Sequence, residues 1–582
     1  MNLPTVLTPL QRLFGLLRPD KKDISYIYIY AVFAGLISLS LPLGVQAIIG
    51  LIAGGAISAS LILLIVAVTA ASALSGILVI MQLSVTESIQ QRIFTRSAFE
   101  FGFRIPRLQL DNLAMHYPPE LVNRFFDTLT LQKGIPKLLI DATSAALSVF
   151  FGLILISFYH PFFAFFGLAL LLIIFLIFRI TGPMGLKTSL KESTYKYAVA
   201  HWLEEMARSM TTFKLAGNTP LPLEKTDELV SSYLDNRKKH FRILILQYQV
   251  ILVFKVLVTA GLLLLGSVLV IDNQINIGQF VASEIIVITI ISSIEKLMLT
   301  MDTVYDTLTA LEKLGSVTDL PVESDEGLSF EKIDTQKGIQ LSVRDLYFKY
   351  EDARKPTLDN LSFDLAPGEK VALAGYNGSG KTTLVQTIAG LFSTFEGNIS
   401  YNGFPIRSLD QASLRHHIGD LCSHENIFQG TLMENISLGH PDVTLEDVVA
   451  ATDQVGLREY IQELPQGFQT LLLPEGKNIP QNVRTKILLA RSIAPRPQLI
   501  VLENLQGYME QRDRDRITAF LTAPDAGWTL LAATDDPLFA SQCDRVIIMK
   551  EGKIIADGSF ETIRKSPHFP AVFHTEQKSA NS

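Results

Sequence analysis

Long apolar runs dominate the first half of the chain and end near residue 294. A membrane-spanning helix needs about 20 mainly apolar residues, and six of these runs meet that length. They come as three pairs, and a short loop without Lys or Arg joins the two members of each pair. The predicted spans are Ile24 to Ile49, Ile57 to Met81, Leu138 to Tyr159, Phe162 to Ile180, Tyr248 to Ile271 and Ile277 to Ile294.

The segments between the pairs are polar, basic and helical in period. Residues 82–137 include Arg92 and Arg96, and residues 181–247 end close to the run Arg237-Lys238-Lys239. Loops rich in Lys and Arg stay on the cytoplasmic side of a membrane. The pattern therefore predicts that both segments extend the membrane helices into the cytoplasm, and that the N-terminus and the second half of the chain are cytoplasmic too.

Hydrophobic periodicity changes in the second half. An acidic, polar stretch over residues 318–338 precedes short apolar runs that alternate with helical segments, which is typical of an α/β domain. Predicted strands are Ile339 to Val343, Asn360 to Leu365, Lys370 to Ala374, Leu499 to Leu502, Thr529 to Ala533 and Arg545 to Met549. The predicted organisation is a helical transmembrane domain over 1–317, a linker over 318–338, an α/β nucleotide-binding domain over 339–572 and a disordered tail over 573–582.

One motif in the α/β domain carries recognisable chemistry. It follows the predicted strand at residues 370–374 and opens a helix, and it matches G-x-x-x-x-G-K-[ST], a phosphate-binding loop. Backbone N–H groups at a helix N-terminus hold phosphates, the lysine adds a positive charge, and the following threonine hydroxyl can ligate Mg²⁺. The predicted ATP-binding residues are Gly375, Tyr376, Asn377, Gly378, Ser379, Gly380, Lys381, Thr382 and Thr383.

Composition removes several function classes. The chain of 582 residues is 48% hydrophobic and 18% charged, its net charge is −7, and it has two cysteines, Cys422 and Cys543. No basic stripe points to nucleic acid, and two cysteines supply neither a disulfide framework nor a metal-ligand spacing. The first apolar run is too long for a signal peptide. Before it, Leu10, Phe14 and their neighbours have helical spacing, which fits a helix on the membrane surface or a helical cap.

Two features of the membrane half invite a functional interpretation. Glu284 lies inside the last span, where a charged side chain costs free energy unless it faces a cavity, so it is a candidate for the translocation path. Lys255 lies nearer the cytoplasmic end of its span and can snorkel to the interface. In the first cytoplasmic segment, Pro118 to Asp127 predicts a short helix with the aromatic pair Phe125 and Phe126. That pair either meets the ATP-binding domain or packs within the helical bundle.

With these features together, the chain resembles a half-transporter of the ABC exporter type over nearly its whole length. Phe348-Lys349-Tyr350 resembles the family's aromatic loop, in which Tyr350 would stack on adenine. Two further runs, Leu464 to Phe468 and Leu489 to Arg491, match the flanks of the family's signature motif. The resemblance implies ATP and Mg²⁺ as ligands, and two copies paired head to tail with ATP between one chain's phosphate loop and the other chain's signature motif.

The chain departs from the family pattern at every hydrolytic motif. The L-S-G-G-Q signature falls on Ile479 to Val483, where Pro480 lacks a hydroxyl and an amide hydrogen and Gln481 and Asn482 replace glycines. In the family, the strand that corresponds to Leu499 to Leu502 is followed by Asp-Glu. Here it is followed by Glu503-Asn504. Glu503 can still serve Mg²⁺, whereas Asn504 cannot accept a proton from water, a loss that typically lowers the rate about 10²- to 10⁴-fold. The family's loop glutamine falls on Ser423 and its switch histidine on Asp535.

The retained ATP-binding residues and the altered hydrolytic residues together predict two possible functions. The first is an exporter that moves a substrate out of the cytoplasm by ATP-driven alternating access of a dimer, with impaired hydrolysis; a rewired but working site is the other interpretation of the same residues. The second is an ATP-binding membrane subunit that gates or regulates without turnover. Expected partners are membrane lipid, a second copy or another half-transporter, and other secretion components. The expected location is a bacterial inner membrane, and the cytoplasmic helices resemble those of peptide and protein secretion exporters.

Overall fold

The computed structural model describes residues 8–53, 59–113, 118–159, 161–324, 326–333, 338–421, 426–503 and 509–573. The chain divides into two compact units. The membrane unit comprises Met1–Pro106 and His116–Leu320, and the nucleotide unit comprises Arg107–Met115 and Pro321–Ser582. The second unit therefore contains a short segment of the chain between the second and third predicted spans.

Among the described residues, six helices of the membrane unit are long and apolar enough to cross a membrane, which is the pattern of a multi-pass membrane protein. Three of them have 46, 48 and 51 residues. At about 1.5 Å per residue they exceed the bilayer core of about 30 Å by a factor of two, as predicted for helices that continue beyond the membrane. The helices are α1 Pro9–Leu17, α2 Lys21–Ser38, α3 Ser40–Ala53, α4 Ala59–Arg104, α5 Pro118–Asn123, α6 Asp127–Lys137, α7 Thr143–Ser157, α8 Pro161–Arg208, α9 Met210–Leu215, α10 Leu221–Ile271 and α11 Ile277–Thr318.

The first and third predicted spans are less regular than the sequence pattern suggested. A break at Leu39 divides the first into α2 and α3, just before Pro42, which has no N–H to donate to the preceding turn. In the third, a π-helical turn over Leu138–Ala142 lies between α6 and α7, close to Pro136 inside α6. Pro42 explains the first interruption, since it removes a helical hydrogen bond. The second is a π-bulge, a separate and recognised cause of helix irregularity.

Burial in the membrane unit separates an aliphatic interior from an apolar exterior. Ile286, Ile290 and Ile294 of α11 are buried against Val149 and Ile156 of α7. Large apolar side chains of other spanning helices, such as Leu63 of α4 and Val256 and Leu264 of α10, are exposed. Apolar residues exposed along a spanning helix are expected where lipid is the solvent, so these faces fit a bilayer environment.

The N-terminal helix α1 is attached to the end of α11 by a charge pair. Arg12 donates to both carboxylate oxygens of Asp319, at 2.8 and 2.5 Å, and lies 3.7 Å from Glu312. A Cβ at Gly315 would lie 2.1 Å from an Arg12 nitrogen, so only glycine leaves room for the guanidinium. Leu10 and Phe14 remain 56% and 71% exposed, which suits a helix lying at a membrane surface.

We expect Arg12→Met to lower the thermal stability of the purified chain in nanodiscs. The substitution removes the fork to Asp319 but keeps an apolar stem, and because Asp319 is partly exposed the loss is about 1 kcal/mol or less. Arg12 holds the pKa of Asp319 below its usual range. The stabilisation is therefore present at neutral pH and is lost as the pH falls through that lowered pKa. Arg18→Met, at an exposed position, is the control, and an equal loss there would contradict the assignment.

The nucleotide unit contains a mixed sheet and an antiparallel sheet. Its six-stranded sheet has the order β12-β11-β3-β10-β9-β6, with only β12 antiparallel, and its four-stranded sheet has the order β2-β1-β4-β5. The predicted strands all appear. The strands are β1 Leu341–Phe348, β2 Leu358–Leu365, β3 Lys370–Gly375, β4 Glu396–Tyr401, β5 Phe404–Pro405, β6 Ile418–Leu421, β7 Gly430–Thr431, β8 Leu471–Leu472, β9 Leu499–Glu503, β10 Thr529–Ala533, β11 Arg545–Lys550 and β12 Lys553–Gly558.

Strand β3 is buried at all six positions, since it lies between β11 and β10 in the middle of the sheet. Its carboxyl end points to the phosphate loop, which is where α/β sheets bind ligands. The helices of this unit are α12 Lys381–Ile388, α13 Gln411–His416, α14 Leu432–Ser437, α15 Leu445–Gln454, α16 Arg458–Glu463, α17 Gln481–Ile493, α18 Gln511–Leu521, α19 Pro537–Ser541, α20 Phe560–Arg564 and α21 Phe569–Val572.

Candidate functional site

The predicted phosphate loop connects β3 to α12. Gly380 is the N-cap of α12 with φ 96°, in the left-handed region that favours glycine, and a Cβ there would lie 2.6 Å from the carbonyl oxygen of Thr357. Gly375 also has no room for a side chain, because a Cβ would lie 2.4 Å from the carbonyl oxygen of Met549. The loop conformation therefore depends on these two glycines.

Lys381 lies folded over this loop. Its Nζ donates to the carbonyl oxygens of Gly375 at 2.7 Å and Tyr376 at 3.1 Å. Burial lowers the pKa of Lys381, and the negative charges of Asp535 and Glu503 oppose that shift. The ammonium group is thus held above the loop, beside two carboxylates.

The two predicted magnesium ligands are in contact. Thr382 at the start of α12 donates its hydroxyl hydrogen to Glu503 Oε1, and Glu503 is the last residue of β9. Magnesium prefers oxygen ligands and is usually held in nucleotide sites by one or two protein groups together with phosphate and water. This hydroxyl and carboxylate fit such a role.

A cavity of about 670 Å³ lies over the loop. The ends of β9 and β10 form one side, since Glu503 is aligned with Ala533 in the parallel register of these strands. No residue of 479–483 lines it within the described part of the chain. Its lining residues are Thr357, Gly375 to Thr383, Glu503, Ala533 to Asp535, Ala571 and Val572.

Tyr350 lies next to the loop within an aromatic cluster. Its hydroxyl is 3.1 Å from the Thr383 hydroxyl. Its ring meets Phe348 edge to face, with centroids 4.9 Å apart, and Phe392 with centroids 5.8 Å apart. The tyrosine is thus fixed at the loop that it was predicted to serve, and its stacking on adenine stays a prediction.

The degenerate signature occupies the start of a helix, as the family pattern implies. Helix α17 begins at Gln481, and Pro480 before it has extended backbone and makes no side-chain capping bond. Asn482 accepts a hydrogen bond from the N–H of Val483 through its Oδ1, so one amide of the first turn is occupied by a side chain. Ser423 and Asn504, two further predicted departures, lie outside the described residues.

Asp535 lines the cavity and lies in a turn that is held by hydrogen bonds. The N–H of Thr534 donates to the carbonyl oxygen of Leu373 at 3.1 Å, and the Thr534 hydroxyl accepts from the N–H of Asp536 at 3.1 Å. Asp536 caps α19 by accepting from the N–H of Leu538 at 2.7 Å. Hydrogen bonds on both sides therefore fix the backbone from which the exposed Asp535 carboxylate projects.

A segment from the membrane half completes the nucleotide unit. Asp111 accepts three hydrogen bonds through Oδ2: from the N–H and hydroxyl of Ser393, at 2.8 and 2.6 Å, and from the N–H of Thr394, at 3.1 Å. Leu108 also forms a bridge with Val322. Phe392, which stacks on the Phe348 and Tyr350 cluster, directly precedes this pair. Sequence reasoning missed Asp111, because a lone acidic residue in a polar segment gives no signal.

For the aromatic pair of residues 118–127, the sequence left two placements open: contact with the ATP-binding domain or packing within the helical bundle. Pro118 to Asp127 does contain a short helix, α5, but Phe125 packs edge to face on Phe94 and Phe101, with centroids 5.6 and 5.5 Å apart. Phe126 is 61% exposed. The pair is thus divided, with one ring in the bundle and one on its surface.

The ionisable residues of the membrane unit are placed differently from one another. Lys255 donates to Glu295 at 2.7 Å, so it is paired between α10 and α11 and does not merely snorkel. Glu295 escaped notice because it lies one residue beyond the predicted end of the sixth span. Glu284 is half-buried, and its place on a translocation path stays a prediction.

We expect Lys381→Ala to weaken nucleotide binding by the full chain at least tenfold, because it removes the charge nearest the phosphates. Isothermal titration in nanodiscs with ATP and Mg²⁺ measures the change. Lys355→Ala, an exposed lysine in the loop between β1 and β2, is the control. Equal affinities of the wild type and Lys381→Ala would show that the cavity is not a phosphate site.

Two protein families match the chain. The ABC transporter transmembrane region matches residues 24–294, and the ABC transporter family matches residues 358–504; together they cover well over half of the chain. In solved structures, the chain resembles a bacterial Atm1-family ABC exporter with ATP bound, with a TM-score of 0.82 at 17% identity, over 94% of this chain and 96% of that one. That likeness concerns the fold.

Several curated proteins are similar in sequence. The chain is 27% identical over 303 residues to the transport/processing ATP-binding protein ComA of Streptococcus pneumoniae, covering 52% of this chain and 42% of that one. It is 28% identical over 307 residues to the ATP-dependent lipid A-core flippase of Burkholderia orbicola, covering 53% and 51%. It is 24% identical over 304 residues to the alpha-hemolysin translocation ATP-binding protein HlyB of Escherichia coli, covering 52% and 42%. The chain spans about half the length of the curated relatives it matches.

Proposed function

Because the chain belongs to the ABC transporter family, as a half-transporter of the six-helix exporter type, we propose that it binds ATP and Mg²⁺ and moves a substrate out of the cytoplasm as one half of a dimer. The observation that carries the proposal is the phosphate loop itself. Lys381 lies over the loop, and Thr382 contacts Glu503 at the end of the neighbouring strand. These groups supply what a nucleotide's phosphates and magnesium require.

The proposal of a dimer rests on which residues line the cavity. The start of α17, where the signature motif falls, contributes no residue to the lining of the cavity in the described part of the chain. An ATP molecule held by this loop therefore leaves its outer phosphate open to a second subunit. A second copy or another half-transporter is the partner that fits, and we place the pair in a bacterial inner membrane with the nucleotide unit in the cytoplasm.

We place the domain boundaries at 1–317, 318–338, 339–572 and 573–582. The membrane bundle alternates its access between the two sides of the membrane when the nucleotide units close. Segment Arg107–Met115 is the natural route for that signal, because it is continuous with the membrane helices and belongs to the nucleotide unit. It brings Asp111 to the loop that follows α12, one residue from the aromatic cluster around Tyr350.

We propose that hydrolysis by this chain is impaired. Asn504 has no basic oxygen to accept the proton of the attacking water, and Pro480 brings no hydroxyl or amide hydrogen to the phosphate of a partner. Each composite site of a dimer takes one component from this chain, so a partner does not restore both sites. A non-hydrolysing ATP-binding gate or regulator is the second candidate, and Asp535 in the cavity is the observation that favours it.

For the substrate we propose a secreted polypeptide, with a lipid or a drug as the alternatives. The names of similar proteins include a leukotoxin exporter and a lipid A-core flippase. Large polypeptides and lipids both move along surfaces that a six-helix bundle can line. Glu284 in the last span is the residue that we assign to the path.

ATP hydrolysis by the purified chain in nanodiscs tests the proposal, with Lys381→Ala as the inactive control. We expect binding with turnover well below about 1 s⁻¹, the low end of ordinary enzymes. Turnover above that value would contradict the impaired site. Binding with no turnover under any lipid tried would favour the gate over the exporter.

We expect Asn504→Glu to raise the turnover of this chain, because it returns a general base worth about 10²- to 10⁴-fold. If Pro480 limits the part of the site that the signature motif supplies, the increase in turnover is smaller. The double variant with Asn504→Glu and Pro480→Ser tests this. Asn504→Asp serves as a shorter carboxylate for comparison. Unchanged turnover in all three variants would refute the impaired-base interpretation.

We expect Asp111→Ala to leave nucleotide affinity near that of the wild type and to abolish any effect of nucleotide on the membrane unit. The loss follows because two N–H groups and one hydroxyl lose their shared acceptor. Spin labels on α4 and α10, followed with and without ATP, report the membrane unit. Asp352→Ala, an exposed carboxylate, is the control, and an unchanged response in Asp111→Ala would remove the segment from the signal path.

A further inference from the structure

Asp535 adds a carboxylate to the cavity over the phosphate loop. It lines the same cavity as Lys381, Thr382 and Glu503, and its charge acts on Lys381. The carboxylate is exposed to the cavity, and its backbone is fixed by the bonds of Thr534 and Asp536. The residue therefore adds a negative charge to the cavity in which the phosphates of a nucleotide would lie.

We propose that Asp535 makes this site discriminate against the third phosphate, so that the chain holds a nucleoside diphosphate in preference to a triphosphate. The inference rests on the proposed nucleotide binding and deepens it. A diphosphate ends deeper in the loop, where backbone amides and Lys381 bind it. A triphosphate adds charge toward Asp535, and like charges a few ångströms apart in partly solvated protein repel each other.

A competing role for Asp535 is that of a base that takes the place of Asn504. The two roles predict opposite results for the neutral isostere. If Asp535 repels the third phosphate, Asp535→Asn tightens triphosphate binding and does not lower turnover. If Asp535 is the base, the same variant keeps its affinities and loses turnover.

The experiment measures the Kd of ADP and of the β,γ-imido analogue of ATP, each with Mg²⁺, on the full chain in nanodiscs. We expect Asp535→Asn to lower the ratio of the triphosphate Kd to the diphosphate Kd about five- to twentyfold, with the diphosphate Kd little changed. Asp535→His is expected to act in the same direction. Because the effect is electrostatic, it shrinks when the salt concentration rises from about 0.05 to 0.5 M.

Asp536→Asn is the matched control. It removes a neighbouring carboxylate of the same turn, and asparagine still caps α19, so the ratio should stay at the wild-type value. An unchanged ratio in Asp535→Asn, or a loss of turnover at unchanged affinities, overturns the inference while nucleotide binding stands. If the wild type binds neither nucleotide, or Lys381→Ala binds both as well as the wild type does, the proposed function fails and this inference fails with it.

Discussion

The charge on Lys381 is the constraint on which the nucleotide site depends. Its ammonium group is partly removed from water and lies over the carbonyl oxygens of Gly375 and Tyr376. Burial lowers the pKa of Lys381, and the negative charges of Asp535 and Glu503 oppose that shift. The ends of β3, β9 and β10 place these groups together, because three neighbouring parallel strands bring their carboxyl ends to one edge of the sheet.

The departures from the family pattern change which acidic residues lie at the ends of the strands around Lys381. The family places two carboxylates at the end of the strand equivalent to β9 and a histidine after the strand equivalent to β10. Here one carboxylate remains, at Glu503, and another appears at Asp535. Lys381 and Thr382, the two residues that the phosphate-loop pattern calls for, are retained beside these departures.

The sequence predicted the elements with strong local signals. Six long apolar runs identified the spans, and the glycine and lysine spacing at Gly375 to Thr382 identified the loop. It could not predict features that depend on distant residues. The partner of Lys255 lies one position beyond an apolar run, and the contact of Asp111 with Ser393 joins residues 282 positions apart. The aromatic pair shows the same limit, since only packing decides that Phe125 is held by Phe94 while Phe126 is exposed.

The Asp111 contact also constrains how the chain assembles. Closing so long a loop costs conformational entropy, which the bonds that the contact makes offset. Asp111 makes three such bonds, and without them the N–H groups of Ser393 and Thr394 lose their acceptor. Residues 321–582 folded alone would therefore lack a part that belongs to their own compact unit. The compact nucleotide unit is therefore complete only with residues 107–115, which precede the third predicted span in the chain.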